Sequence, residues 1–287
     1  MVKETRIDFN NTNIIAGSVE AAWMKMAENV LDFGEKVNGT LELNNVKVLI
    51  ENPEKNLLRS RHNFSLPYYL GEMIWYGAGV NDVRFISKFG KVWEKLSDDG
   101  ETNNSAYGYI LKRKHGFNQI TKMIELLKKD PHSRRAVMNI NVPNRNVIET
   151  NDEQCTIALQ VLLRDGKLNM TGVMRSNDLW TGTPYDLFYF TEIQKYIAKK
   201  LDVEVGTYTH FVSSLHIYDR NIDDVEKSID NYWNSDYKKD VHIDGQALLD
   251  AAPTLYCKLS KYEPKEAKKK VVELCLENNI VWGEDVL

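Results

Sequence analysis

The sequence predicts an α/β fold of the layered α+β kind, in a single domain over residues 1–287. Three observations carry this. Val19, Ala22, Trp23, Met26, Val30 and Phe33 recur at helical spacing. Two strand-like runs, Ile157 to Arg164 and Lys167 to Met174, flank Asp165-Gly166, a dipeptide suited to a two-residue hairpin turn. Strand-rich sequence returns over Val205 to Tyr218, after a further helical segment. No internal repeat, low-complexity tract or Pro/Gly/Ser linker divides the chain.

The elements follow in order. A helix starts after Ser18 and runs to Phe33, with Gly34 and Gly39 at its exit. Leu41 to Ile50 reads as a strand interrupted by a turn at Asn44-Asn45. Ser65 caps a helix over Leu66 to Tyr76 that carries Pro67 in its first turn. Phe117 to Lys129 forms another helix, stopped by Asp130-Pro131. Ala136 to Val142 is a strand, and the hairpin follows it. Leu187 to Leu201 is helical. From Val225 onward helix and loop alternate, through a charged run at Glu263 to Lys270.

Composition bounds the function. A net charge of -4 without a polybasic tail gives no nucleic-acid signature, so no DNA partner is expected. Three cysteines without paired spacing argue for a reducing compartment and against a disulfide frame or zinc site, so no metal is expected. Met1 to Arg6 lacks the apolar run of a signal peptide, and no apolar run is long enough to span a bilayer. The expected location is cytoplasmic, with no membrane partner.

The chemistry concentrates in Met174-Arg175-Ser176-Asn177-Asp178-Leu179-Trp180-Thr181-Gly182-Thr183-Pro184-Tyr185-Asp186. Arg175 offers a fork of donors for a phosphate, and Ser176 adds a hydroxyl. Asp186 calls for a partner that donates hydrogen bonds. Upstream, Cys155 lies among polar residues just before an apolar strand. A lone cysteine commonly packs as a small apolar residue, the reading that Cys257 and Cys275 keep. Cys155 differs because a nearby cation would lower its thiol pKa and raise the thiolate fraction. Arg134 and Arg135 open a strand, as a second phosphate grip or as solvated side chains. His216 and Tyr218 share one strand face, fit either for a sugar hydroxyl or for a core edge. Glu72, on an apolar helix face beside Trp75 and Tyr76, is either exposed or a partly buried proton shuttle.

In order and spacing, these pieces resemble the thymidylate synthase superfamily: Cys155 before a hairpin, Arg-Ser-x-Asp after it, Gly-x-Pro-x-Asp, then His-x-Tyr. The likeness extends to Glu72-Met73-Ile74-Trp75-Tyr76, to Trp93, to Tyr107-Gly108 and to Ser133-Arg134-Arg135, covering roughly residues 66 to 221. It implies a large mixed β-sheet with flanking helices, in a homodimer packed sheet to sheet with shared active sites. It implies that Cys155 adds to carbon 6 of a pyrimidine nucleotide, and that carbon 5 attacks the one-carbon unit of the co-substrate 5,10-methylenetetrahydrofolate. Arg175 and Ser176 would hold the nucleotide phosphate, and Arg134 and Arg135 would reach the partner's. Trp93 and Asp178 would hold the folate. Glu72 and Tyr107 would organise proton transfer, and His216 and Tyr218 the sugar.

Asp186 departs from the synthase pattern, which has asparagine there. A carboxylate accepts from an amino group but cannot donate to a carbonyl, so Asp186 predicts cytosine, by a factor of ~10^4 or more when buried pairing decides. The same aspartate marks the deoxycytidylate hydroxymethylases, which Thr156, Met174, Asn177 and the Asn103 to Gly108 loop also resemble. These enzymes end by adding water, where synthases deliver hydride. The end of the chain, Ile280 to Leu287, does not match the synthase tail, which favours water. Ser176 favours dCMP over CMP. The phosphate arginine that synthases carry on an N-terminal loop has no clean match here; Arg59 or Arg61 either stands in for it or is a solvated side chain. The alternatives are methylation of dUMP or dCMP with folate hydride, and an inactive nucleotide- or RNA-binding homologue.

Overall fold

A computed structural model describes residues 11–141, 149–234, 241–284 and 286. Its strands are β1 (Asn13–Ala16), β2 (Glu35–Val37), β3 (Thr40–Ile50), β4 (Val137–Asn139), β5 (Thr156–Arg164), β6 (Lys167–Met174), β7 (Asn177–Asp178), β8 (Glu204–Tyr218), β9 (His242–Ile243) and β10 (Val281–Trp282). Its helices are α1 (Val19–Phe33), α2 (Leu66–Ala78), α3 (Val83–Ile86), α4 (Val92–Leu96), α5 (Tyr107–Tyr109), α6 (Gln119–Lys129), α7 (Thr183–Leu201), α8 (Ile222–Asn234), α9 (Gly245–Leu259) and α10 (Pro264–Glu277). Among the described residues, β1 to β8 form one mixed sheet in the order β1-β3-β8-β6-β5-β4, with β2 on β3 and β7 on β8. β8 runs antiparallel to β3 and parallel to β6 and β7. This is the expected mixed α/β architecture, a large sheet flanked by helices.

Local chemistry sets the boundaries. The Ser18 hydroxyl accepts from the Ala21 N–H at 3.2 Å and caps α1. Asp165 and Gly166 both take left-handed φ, 49° and 73°, as a tight hairpin turn needs. One face of the sheet is apolar and buried: Leu159 and Val161 on β5, Met170 and Met174 on β6, Tyr208, Val212 and Leu215 on β8. α1 and α7 pack on it. The other face stays half-exposed and carries Thr171 and Val173 opposite Thr209 and Phe211. The Trp23 indole donates to the Leu179 carbonyl at 2.8 Å, tying α1 to the segment after β7.

Several boundaries differ from the sequence reading. β3 is continuous: Asn45 takes a left-handed φ of 58°, yet pairing with β8 holds register on both sides, so the asparagines kink the strand without turning it. α7 begins at Thr183, because Pro184 in the first turn has the φ a helix needs. α6 begins at Gln119, where the Asn118 side chain caps the Thr121 N–H. β4 ends at Asn139, and Val142 lies outside the described residues. Ser65 sits at the start of α2 without a side-chain capping bond. Cys275 is buried as expected, whereas Cys257 is exposed. Among the described residues no helix is long and apolar enough to cross a membrane.

Candidate active site

Two strand ends create the site. Cys155 immediately precedes β5 and Arg175 immediately follows β6, so their antiparallel pairing sets them side by side. The Arg175 N–H donates to the Cys155 carbonyl at 2.9 Å. The guanidinium donates to the carbonyls of Gln154 (3.0 Å) and Glu153 (2.9 Å), and Nη2 lies 3.7 Å from Cys155 Sγ. The Asn103 to Ser105 loop clamps this segment. Asp152 accepts from the Ser105 N–H at 2.9 Å, Gln154 donates to the Asn104 carbonyl at 2.9 Å, and Asn103 donates to the Trp93 carbonyl at 3.1 Å. The result is a cavity of about 540 Å3, within the usual range for small-molecule sites, walled by Glu72, Trp93, Tyr107, Cys155, Arg175 and Asp186 among others.

α2 contributes a polar stripe at four-residue spacing, Tyr68, Glu72 and Tyr76. The Trp93 Nε1–H donates to the Tyr68 hydroxyl at 3.0 Å, which donates to Glu72 Oε1 at 3.1 Å. Burial pushes the Glu72 carboxyl up to about 8; Asp186 adds to the rise and Tyr68 opposes it. Asp186, in the first turn of α7, is pushed up to about 7 by burial; the Asn177 amide, donating to Oδ2 at 2.8 Å, opposes the shift, and Asp178 adds to it. Two carboxyls that carry protons near neutrality thus share one cavity, an arrangement suited to proton transfer. Tyr107 stacks on Tyr76 with ring centroids 5.6 Å apart.

Cys155 corrects an expectation. Arg175 does pull its thiol downward, but burial outweighs the cation, and with Asp186 and Asp152 adding, the thiol rises to about 11. The resting form is a neutral thiol.

The comparisons with known proteins agree with this geometry. The sequence matches the thymidylate synthase family over residues 24–273. The chain belongs to the thymidylate synthase family. Its relatives include the deoxyuridylate hydroxymethyltransferase of Bacillus phage SP01, 32% identical over 236 residues, 75% of this chain and 61% of that protein. The protein of the same name from Pseudomonas phage M6 is 30% identical over 161 residues, 55% of this chain and 46% of that one. The thymidylate synthase of Bacillus licheniformis is 28% identical over 229 residues, 74% of this chain and 81% of that enzyme. The chain thus spans less than two thirds of the length of the two hydroxymethyltransferases.

Of the residues singled out from sequence, this thymidylate synthase-family cavity gathers Cys155, Glu72, Tyr107, Asp186, Arg175, Trp93 and Asp178. Asp178 caps its own turn, with Oδ1 accepting from the N–H groups of Trp180 (2.8 Å) and Thr181 (3.1 Å) and Oδ2 from the Thr181 hydroxyl. Ser176, His216 and Tyr218 form a separate group: Ser176 Oγ lies 3.5 Å from His216 Nδ1, and the His216 and Tyr218 rings meet edge to face at 5.3 Å. Arg134 and Arg135 are exposed and far from Cys155 of the same chain. The Arg134 carbonyl accepts from Gln160, five positions along β5 from the cysteine, or about 17 Å at strand rise. Arg61 lines the cavity from beneath Trp180, 4.1 Å from its ring, and donates to the Tyr185 hydroxyl and the Trp180 carbonyl, each at 3.1 Å. Arg59 lines a different cavity.

Sequence reasoning missed the buried pair Tyr208 and His210 behind Asp186. Their alternation on β8 was the available signal.

Proposed function

We propose that this protein transfers a one-carbon unit from 5,10-methylenetetrahydrofolate to carbon 5 of a cytosine nucleotide, dCMP before CMP, and adds water to give the 5-hydroxymethyl nucleotide. The observation that carries this is Asp186, a buried carboxyl in the same cavity as Cys155 and Arg175. As a carboxylate it accepts from the exocyclic amine of cytosine. In the neutral form, populated near pH 7, it accepts from that amine and donates to ring N3 at once. Cys155 Sγ bonds to carbon 6 as its proton leaves, and the displaced ring electron pair makes carbon 5 nucleophilic. Arg175 grips the phosphate and orients the ring over the thiol. Glu72 and Tyr107 exchange protons with ring and water.

The folate supplies the one-carbon unit when bound. Val92, Trp93 and Leu96 offer an apolar wall that fits a flat heterocycle, with Asp178 and Thr181 as a polar edge. Dimerisation through the half-exposed sheet face would bring Arg134 and Arg135 to the partner's phosphate, and it gives both arginines a role that their own cavity does not. His216 and Tyr218 would meet the sugar. The reading takes residues 1–287 as one catalytic domain.

A uracil nucleotide is the second reading. Two observations favour it: the name of the SP01 and M6 relatives, and a neutral Asp186, whose O–H can also donate to a ring carbonyl.

Incubation with methylenetetrahydrofolate and each of dCMP, CMP, dUMP and UMP, read by mass spectrometry, tests both. A hydroxymethyl cytosine nucleotide with tetrahydrofolate left over is expected. A methyl product with dihydrofolate would replace water by hydride, and turnover of dUMP alone would overturn the cytosine reading. Asp186→Asn should move the dCMP:dUMP ratio of kcat/KM toward uracil by ~100-fold or more.

A further inference from the structure

Behind Asp186 lies a line of buried polar groups. The Tyr208 hydroxyl is 3.1 Å from His210 Nδ1, His210 Nε2 is 2.9 Å from Asn177 Oδ1, and Asn177 Nδ2 is 2.8 Å from Asp186 Oδ2. The Thr183 hydroxyl also donates to Asn177 Oδ1, at 2.8 Å. His210 and Tyr208 are fully buried, and Asn177 nearly so.

The directions of these bonds follow from valence. As a carboxylate Asp186 has no donor to offer, so Asn177 turns its N–H2 toward Oδ2, and when Asp186 is neutral the Thr183 hydroxyl donating to Asn177 Oδ1 holds the amide that way. Its carbonyl then faces His210, so Nε2 must carry the hydrogen. Nδ1 is left as an acceptor and takes the Tyr208 O–H. Burial holds His210 neutral, with a pKa lowered to about 3, so the ring carries a single N–H at every physiological pH and its partners choose the nitrogen. Two glycines make room. A Cβ on Gly172 would stand 2.3 Å from the Tyr208 hydroxyl, and one on Gly182 would stand 3.1 Å from Asn177 Nδ2 and 3.4 Å from Asp186 Oδ2.

We propose that His210 is a specificity-positioning residue: through Asn177 it makes Asp186 Oδ2 the fixed acceptor and leaves Oδ1 as the oxygen that carries a proton to the base. A free carboxyl can place its proton on either oxygen and so suits two base edges equally. The one-way relay from Tyr208 removes that freedom, so the pattern presented to the ring is set before the nucleotide arrives. This deepens the proposed function and rests on Asp186 meeting the base. Asp178 also faces this carboxyl and raises it, and the carboxyl in turn raises Glu72, Tyr76, Tyr107 and Cys155 around the cavity and Tyr208 behind it.

The test compares His210→Leu, His210→Gln and Asn177→Ala with the wild type, measuring kcat/KM for dCMP and dUMP from pH 5 to 9. His210→Leu and Asn177→Ala should reduce discrimination between the bases by about tenfold or more, the worth of a hydrogen bond to a charged group. Both should move the limb of the pH profile set by Asp186 to higher pH, because the donation that lowers its pKa is weakened or lost. His210→Gln, whose amide can still donate to Asn177, should restore ratio and limb together. A wild-type ratio and limb in His210→Leu, with cytosine still preferred, would overturn the relay and leave the base reading standing. A wild type that prefers dUMP would overturn the base reading, while the relay would stand if His210→Leu still eroded that preference and His210→Gln restored it. Nitrogen NMR of the wild type covers the case in which His210→Leu does not fold. Protonated Nε2 and bare Nδ1 are expected from pH 5 to 9, and the opposite tautomer overturns the relay.

Discussion

On the proposed function, a thiol kept neutral by burial loses its proton when the pyrimidine ring arrives. That makes the polar groups around Cys155 as consequential as the sulfur. Cys155→Ala should abolish tritium release from carbon 5 of the nucleotide; continued release would move the nucleophile elsewhere. Glu72 makes a second prediction. Its folded pKa of about 8 lies above the ordinary 4.5, so the folded state keeps a proton that the unfolded chain gives up across that window. Its contribution to stability is therefore full below pH 4.5 and lost as the pH climbs through 8. Glu72→Gln stays neutral throughout. Its melting temperature relative to wild type should rise from pH 5 to pH 8, by on the order of several degrees. A difference that stays flat with pH would refute the buried, protonated carboxyl. Glu72 was legible in the sequence because an acid on an apolar helix face is conspicuous, and Asp186 because it stands where the synthase pattern has asparagine. His210 was not: a single histidine in a strand reads as core until its partners from β7 and α7 are seen around it.

At the scale of elements, the interior of β6 is shaped by one missing side chain. Gly172 lies directly over the Tyr208 hydroxyl, so Gly172→Ala should destabilise the fold by about 1–3 kcal/mol. Adding Tyr208→Phe removes the clashing oxygen, and the double variant should recover part of that loss in urea denaturation. If the two effects simply add, the close approach is not what constrains position 172. Strong local signals gave the elements their places. Asp165-Gly166 and Ser18 act through their own backbone and so could be read locally. Asn38-Gly39, whose positive φ values close the turn between β2 and β3, carries the same kind of signal, although Gly39 reads from sequence only as a helix exit. The short strands β1 and β7 have too few residues for a period to show. They exist because β3 and β8 offer them edges to pair with, a tertiary cause invisible in a local window.

For the whole molecule, the proposed shared site predicts complementation. Arg134→Ala and Cys155→Ala are each expected to be nearly inactive alone. Mixed after verified subunit exchange, they should recover roughly a quarter of wild-type activity if half the dimers are hybrids, each holding one intact site. No recovery would mean that the arginines act within their own chain or not at all. The sheet of the whole molecule is held together through β8. That strand alone joins the part of the sheet containing β1 to β3 to the part containing β4 to β6 among the described residues. During synthesis the two parts emerge first, with open edges and no common strand to hold them. At ~5–20 residues per second, the half built around β3 waits on the order of ten seconds or more on the ribosome before Glu204–Tyr218 follows it. Through that interval the nascent chain must depend on chaperones or on α1, which packs on β1 and β3, to keep its exposed strands from pairing with others.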